Sequence, residues 1–150
     1  DFVLLTSMTD KEIQRRMSAA LVQIPMATGV NNHQGSKGSA DQRIMANVAR
    51  ILKERNLFFI DSRTTKETIA ESTMEVYGVP TARNKLFLDN EDDEEKITEQ
   101  LMELVRKSDK SGTVIGIGHA RPKTLNVLKK HIPELQKKGF KFEFVSKMLH

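Results

Sequence analysis

The chain contains no cysteine. That absence removes disulfides, thiolate-ligated zinc and a thiol nucleophile, and leaves any metal to histidine, carboxylate or water. No Gly-x-Ser-x-Gly elbow is present, so covalent acyl-enzyme chemistry has little support. Gly116-Ile117-Gly118 lacks the third glycine of a dinucleotide fingerprint and the Gly-Lys-Ser/Thr ending of a phosphate loop. No apolar run approaches the roughly 20 residues that span a bilayer. There is no internal repeat beyond the alternation described below, no low-complexity stretch and no linker, which predicts one domain over residues 1–150. The sequence opens at Asp1, without methionine or a signal peptide, and we expect further residues upstream in the natural protein.

What is there describes an ordinary globular composition: 150 residues, 38% hydrophobic and 29% charged. The 24 basic side chains exceed the 20 acidic ones, giving +4. The excess is spread along the chain, with small clusters at Lys129-Lys130 and Lys137-Lys138. Diffuse charge of this kind reads as a solvated surface, so nucleic acid is not expected as a partner.

Helical and strand patterns alternate. Thr9 with Glu12 makes a capping box ahead of Ile13, Met17, Ala20, Leu21 and Ile24, and Pro25 stops that helix. Ala27–Val30 reads as a short strand. Ser39 with Gln42 repeats the capping pattern before Ile44, Val48, Ile51 and Leu52. Leu57-Phe58-Phe59-Ile60 is an apolar strand of the kind buried on both faces of a parallel sheet. Thr64 with Glu67 predicts a third helix, with Ile69, Val76 and Tyr77 inward and Gly78 at its end.

Leu86–Leu88 is a third strand. The acids Glu91 to Glu95 lead a helix carrying Ile97, Leu101, Leu104 and Val105, where negative charge suits the helix dipole. Thr113–Ile117 is a fourth strand. Pro122 opens a last helix, which Pro133 is expected to kink or divide and Gly139 to end, and Phe140–Val145 is a fifth strand. Five strands alternating with helices predict a parallel α/β architecture.

Each of the first four strands ends in polar groups: Asn31-Asn32-His33, Asp61-Ser62-Arg63, Asp89-Asn90 and Gly118-His119. Parallel strands would bring these to one rim, where barrels and open α/β sheets hold their active sites. Each residue also has a plainer reading. His33 could be a loop histidine on one backbone group. Asp61 could cap the Ser62–Thr65 turn. Arg63 could pair with Asp61 or Asp89, Asp89 could be a turn residue, and His119 could be a satisfied histidine at the sheet edge. The glycines before His119 permit close approach of a ligand or another backbone. His131, on a lysine-rich helix face, and His150 are expected at the surface. Histidine and aspartate without a nucleophile leave metal-assisted hydrolysis, in which a divalent ion lowers the pKa of its water.

The segments Gly29-Val30-Asn31-Asn32-His33-Gln34-Gly35-Ser36, Phe58-Phe59-Ile60-Asp61-Ser62-Arg63-Thr64, Gly78-Val79-Pro80, Leu86-Phe87-Leu88-Asp89-Asn90 and Ile117-Gly118-His119 match one pattern in order and spacing. Together with Leu4-Leu5-Thr6-Ser7-Met8 and Ile24-Pro25, the sequence resembles the divergent polysaccharide deacetylases along essentially its whole length. That family carries methionine where Gln34 stands and proline where Ala120 stands.

The resemblance implies a distorted parallel β/α barrel, of which this chain covers the C-terminal five or so βα units. It implies a metal-dependent hydrolase removing acyl groups from a bacterial cell-wall or surface glycan, outside the cytoplasm, with a divalent ion such as zinc. His33 would be one metal ligand of a set completed by an upstream Asp-Asp pair and a further histidine. Asp61 would orient a catalytic group, and His119 would protonate the leaving amine and steady the oxyanion. Asn31, Asn32, Ser36, Arg63 and Asp89 are the candidates for contact with the carbohydrate. A different class of function, non-catalytic glycan binding or a scaffold role on the same barrel, fits the same residues.

Overall fold

Thr9 and Glu12 bond as their spacing predicts. The Thr9 hydroxyl accepts the Glu12 N–H at 3.3 Å and the Glu12 carboxylate accepts the Thr9 N–H at 2.7 Å. Helix α1 (Asp10–Gln23) follows, with Ile13 and Leu21 buried, and stops before Pro25. The computed structural model describes residues 2–33 and 35–150. Gln34, quoted above within the family pattern, lies outside the described residues. Contacts divide the chain into two units, one ending at Arg83 and taking in Leu149–His150, the other running Asn84–Met148.

In the first unit β1 (Gly29–Asn31), β2 (Phe58–Asp61) and β3 (Thr81–Arg83) form a parallel sheet in that order. Val30 pairs with Phe59, and Ile60 with Ala82. A one-turn helix α2 (Ser36–Ser39) precedes α3 (Gln42–Glu54). The cap of α3 is Asp41, whose carboxylate accepts the Ile44 N–H at 2.9 Å, rather than Ser39. The Ser39 hydroxyl is turned back to the Ser36 carbonyl. Helix α4 (Ala70–Tyr77) begins later than Thr64 predicts. Thr65 bonds Glu67 within a turn, and Thr68 is drawn off to Asp61, so the first helical residue is Ala70. Gly78 ends α4 at φ +67, as expected, but Val76 points outward and is exposed. Ile13, Ile44, Leu52, Phe59, Met74 and Val79 make the core.

In the second unit β4 (Leu86–Phe87) and β5 (Gly116–Ile117) are parallel. Asp93 caps α5 (Glu94–Ser111) by accepting the N–H groups of Glu95 and Lys96. Pro122 opens α6 (Pro122–Lys137), and Pro133 sits inside it without dividing it. Leu88, Ile97, Leu101, Val127 and Leu135 form the core of this unit. Residues 140–145 form no strand. Phe142 and Phe144 are exposed there, and a 3-10 turn follows at Val145–Lys147. The protein is therefore α/β with parallel sheets and six helices among the described residues.

Candidate functional site

The loops after β1 and β2 are tied to one another. Asn31 donates to the Ser62 hydroxyl at 3.1 Å, and the Asn32 side-chain oxygen accepts the Ser62 N–H at 2.8 Å. The Ser36 hydroxyl reaches Thr64 Oγ1 at 3.2 Å, and the Thr68 hydroxyl lies 3.4 Å from the Ser39 carbonyl. Asp61 is 1% exposed. One of its oxygens accepts the Arg63 N–H at 2.8 Å and the other accepts the Thr68 hydroxyl at 2.9 Å.

The Arg63 contact is an Asx turn, and it holds Arg63 in the left-handed region at φ +52, which costs a non-glycine residue roughly 1 kcal/mol. Asp61 thus fixes the backbone between β2 and α4, matching the turn-cap reading. Asn32 Nδ2 is buried without a hydrogen-bond partner among the described residues. His33 lies exposed at the end of the same loop.

A second cluster forms where β4 and β5 end. Asp89 is 1% exposed and three donors surround its carboxylate. Oδ2 accepts the His119 N–H at 2.7 Å and the Thr124 hydroxyl at 2.8 Å, while Oδ1 faces His119 Nδ1 at 3.0 Å. Burial pushes this carboxyl upward, but the bonds from the His119 ring, from Thr124 and from the His119 N–H outweigh it and hold it below the ordinary aspartate range. Asp89 is therefore an anion near neutral pH. A carboxylate on Nδ1 assigns the ring proton there and puts the lone pair on Nε2. The ring itself is 43% exposed.

Asp89 is the carboxylate that bonds the His119 ring, while Asp61, which the resemblance makes the carboxylate orienting a catalytic group, bonds the Arg63 N–H and the Thr68 hydroxyl. With its oxygens turned to internal donors, Asp89 is not presented as a substrate contact. What approaches the glycines ahead of His119 is the protein itself: a Cβ on Gly116 would lie 2.6 Å from Leu104 Cδ2, and one on Gly118 would lie 3.1 Å from Thr124 Cγ2. The sequence reading missed Thr124. Its only signal there is a hydroxyl residue in the first turn of the helix after Gly118-His119. A groove of about 550 Å³ between α5 and α6, with Glu94, Glu99, Arg106 and Lys130 in its walls, is lined by neither Asp89 nor His119.

His33 is not grouped with two other potential ligands among the described residues. The one such set there is Glu71, Glu75 and His150, with ligand atoms within 4.8 Å of one another. His150 Nε2 lies 3.4 Å from Glu71 and 3.3 Å from Glu75, and Arg83 lies 3.3 Å from the other Glu71 oxygen. His150 is exposed, as expected, and is held by paired main-chain bonds to Thr81. These contacts read as partly exposed ion pairs, each worth about 0–1 kcal/mol. The described residues therefore do not complete a zinc site at His33.

A family model described as divergent polysaccharide deacetylase matches residues 1–149. An uncharacterized protein of Haemophilus influenzae is 32% identical over 130 residues, 85% of this chain and 46% of that protein. An uncharacterized protein of Escherichia coli, YibQ, is 34% identical over 132 residues, 88% of this chain and 41% of that one. The chain thus spans less than half the length of these relatives. A crystal structure of an uncharacterized Agrobacterium tumefaciens protein matches with a TM-score of 0.88 at 24% identity, over 98% of this chain and 60% of the other. That likeness extends the fold to a solved structure.

Proposed function

Because the chain belongs to the divergent polysaccharide deacetylase family, we propose that it is a hydrolase that removes acyl groups from the amide nitrogens of a bacterial cell-wall or surface glycan, with His119 as its acid–base group. The observation that carries this reading is the buried Asp89 carboxylate on His119 Nδ1, which orients the imidazole. Water adds to the amide carbonyl carbon, and the C–N bond then breaks. Nε2 of His119 accepts the proton released by the water and delivers it to the departing amine, so that acid and amine leave with atoms and charge balanced. Arg121, whose side chain donates to the Asp89 carbonyl at 3.4 Å, adds positive charge beside the pair.

Kinship also implies a barrel and a divalent ion such as zinc, which would activate the water. The described residues do not complete the ligand set of that ion. The relatives in two bacteria support a bacterial glycan, and action outside the cytoplasm belongs to the same proposal.

The second reading is a glycan-binding or scaffold domain without turnover. It is favoured by the internal bonds of Asn31 and Asn32 to Ser62, of Ser36 to Thr64 and of Asp61 to Arg63 and Thr68, which turn part of their hydrogen-bonding capacity into the protein. Acetate release from N-acetylated glycan fragments decides between them. Under the hydrolase reading His119→Ala slows release by about 10²–10⁴-fold while fragments still bind. Release that is unchanged in His119→Ala overturns the assignment of that residue. Binding without any release by the unaltered protein favours the scaffold.

A further inference from the structure

Thr124 is 1% exposed and lies in the first turn of α6, a helix whose N-cap residue Arg121 supplies no side-chain cap. Two sides of this small residue are in use. Its hydroxyl donates to Asp89 Oδ2 at 2.8 Å. Its methyl lies against the end of β5, so close that a Cβ added to Gly118 would come within 3.1 Å of it. A β-branched side chain has few χ1 choices, and a methyl seated on a glycine removes most of the rest.

The consequence falls on Asp89. A carboxylate can rotate about its last bond and exchange its two oxygens. Here Oδ2 is held from two directions, by the His119 main-chain N–H and by Thr124, which turns Oδ1 toward His119 Nδ1. We infer that Thr124 is a positioning residue: by clamping one oxygen of Asp89 it selects the Nδ1–H tautomer of His119 and leaves Nε2 as the proton-transferring atom. The part of this inference that concerns turnover rests on the hydrolase reading above; the part that concerns the tautomer does not.

The test uses the full-length natural protein in three variants, Thr124→Val, Thr124→Ser and Asp89→Asn. The tautomer of His119 is read from its ring ¹⁵N shifts, and folding is monitored by thermal melting. Valine keeps the shape and removes the donor; serine keeps the donor and removes the methyl. The expected result is a shift from the Nδ1–H toward the Nε2–H form in Thr124→Val, with serine restoring most of the original ratio. On an acetylated glycan, kcat should fall roughly tenfold in Thr124→Val with KM unchanged, the scale of one lost hydrogen bond to a charged group.

An unchanged tautomer in a folded Thr124→Val, with a clear shift in Asp89→Asn, overturns the role of Thr124 and leaves the Asp89–His119 pair standing. No shift in either variant overturns both. A shift in Thr124→Val in a protein that releases no acetate supports the positioning role and removes the hydrolase reading instead.

Discussion

Asp89 must give up a proton inside the protein to hold its three donors, and that requirement makes its contribution to stability depend on pH. Its carboxyl is held below the ordinary value of 3.8 in the folded chain. A carboxyl depressed in this way stabilises the fold fully above its unfolded value, and the contribution is lost as pH falls through the folded one. Asp89→Asn keeps an acceptor oxygen but sets an NH₂ group against donors. With a charged, buried acceptor removed, we expect a loss of about 2–3 kcal/mol at pH 7. The difference between variant and unaltered protein should shrink as pH is lowered below 4. Urea unfolding at pH 7, 5 and 3 checks this; a difference that stays constant over that range would mean that Asp89 is not ionised in the fold.

The helix ends show which local patterns can be trusted. Thr9 and Glu12 form their capping box because both partners lie in the same turn and nothing else competes for them. Ser39-x-x-Gln42 has the same form, yet Asp41 two residues later takes the cap. Thr64-x-x-Glu67 fails for a longer-range reason: Thr68 is claimed by Asp61, and Ile69 N–H is claimed by the Ser39 carbonyl, so α4 starts at Ala70. β3 is three residues with no apolar alternation to announce it. Residues 140–145 have the alternation but no strand beside them among the described residues.

Gly78 was legible because its requirement is local. It sits at φ +67 and closes α4 with its N–H on the Glu75 carbonyl, while the Val79 N–H reaches Met74. Gly78→Ala is expected to destabilise the first unit by roughly 1–2 kcal/mol, the cost of a side chain in the left-handed region. Gly78→Asn should cost less. Equilibrium denaturation of both variants measures the difference, and equal losses would place the effect in packing rather than backbone conformation.

At the scale of the molecule, the sequence placed the chemistry-bearing residues at strand ends but not the partners of each. Asp61 and Asp89 both follow an apolar strand, and nothing local distinguishes one that closes an Asx turn from one that carries a histidine; the distinction lies in Thr68 and in Thr124, residues supplied by later segments. Charge is the property that reads most directly from composition to the whole. The surplus of +4 carries no long basic stretch, and some basic groups have acidic neighbours: Arg43 with Asp10, Lys96 with Glu99, Arg106 and Lys107 with Glu103, Lys123 with Asp92, Lys147 with Glu143. A small, diffuse excess of this kind is expected to neutralise few phosphates at once, and affinity for duplex DNA scales with that number. Any association detected at about 50 mM salt should therefore be weak, indifferent to sequence and gone by about 200 mM. Anisotropy titrations with a labelled duplex at the two salt concentrations test this, and a complex that survives the higher one would require a nucleic-acid surface that so diffuse an excess argues against.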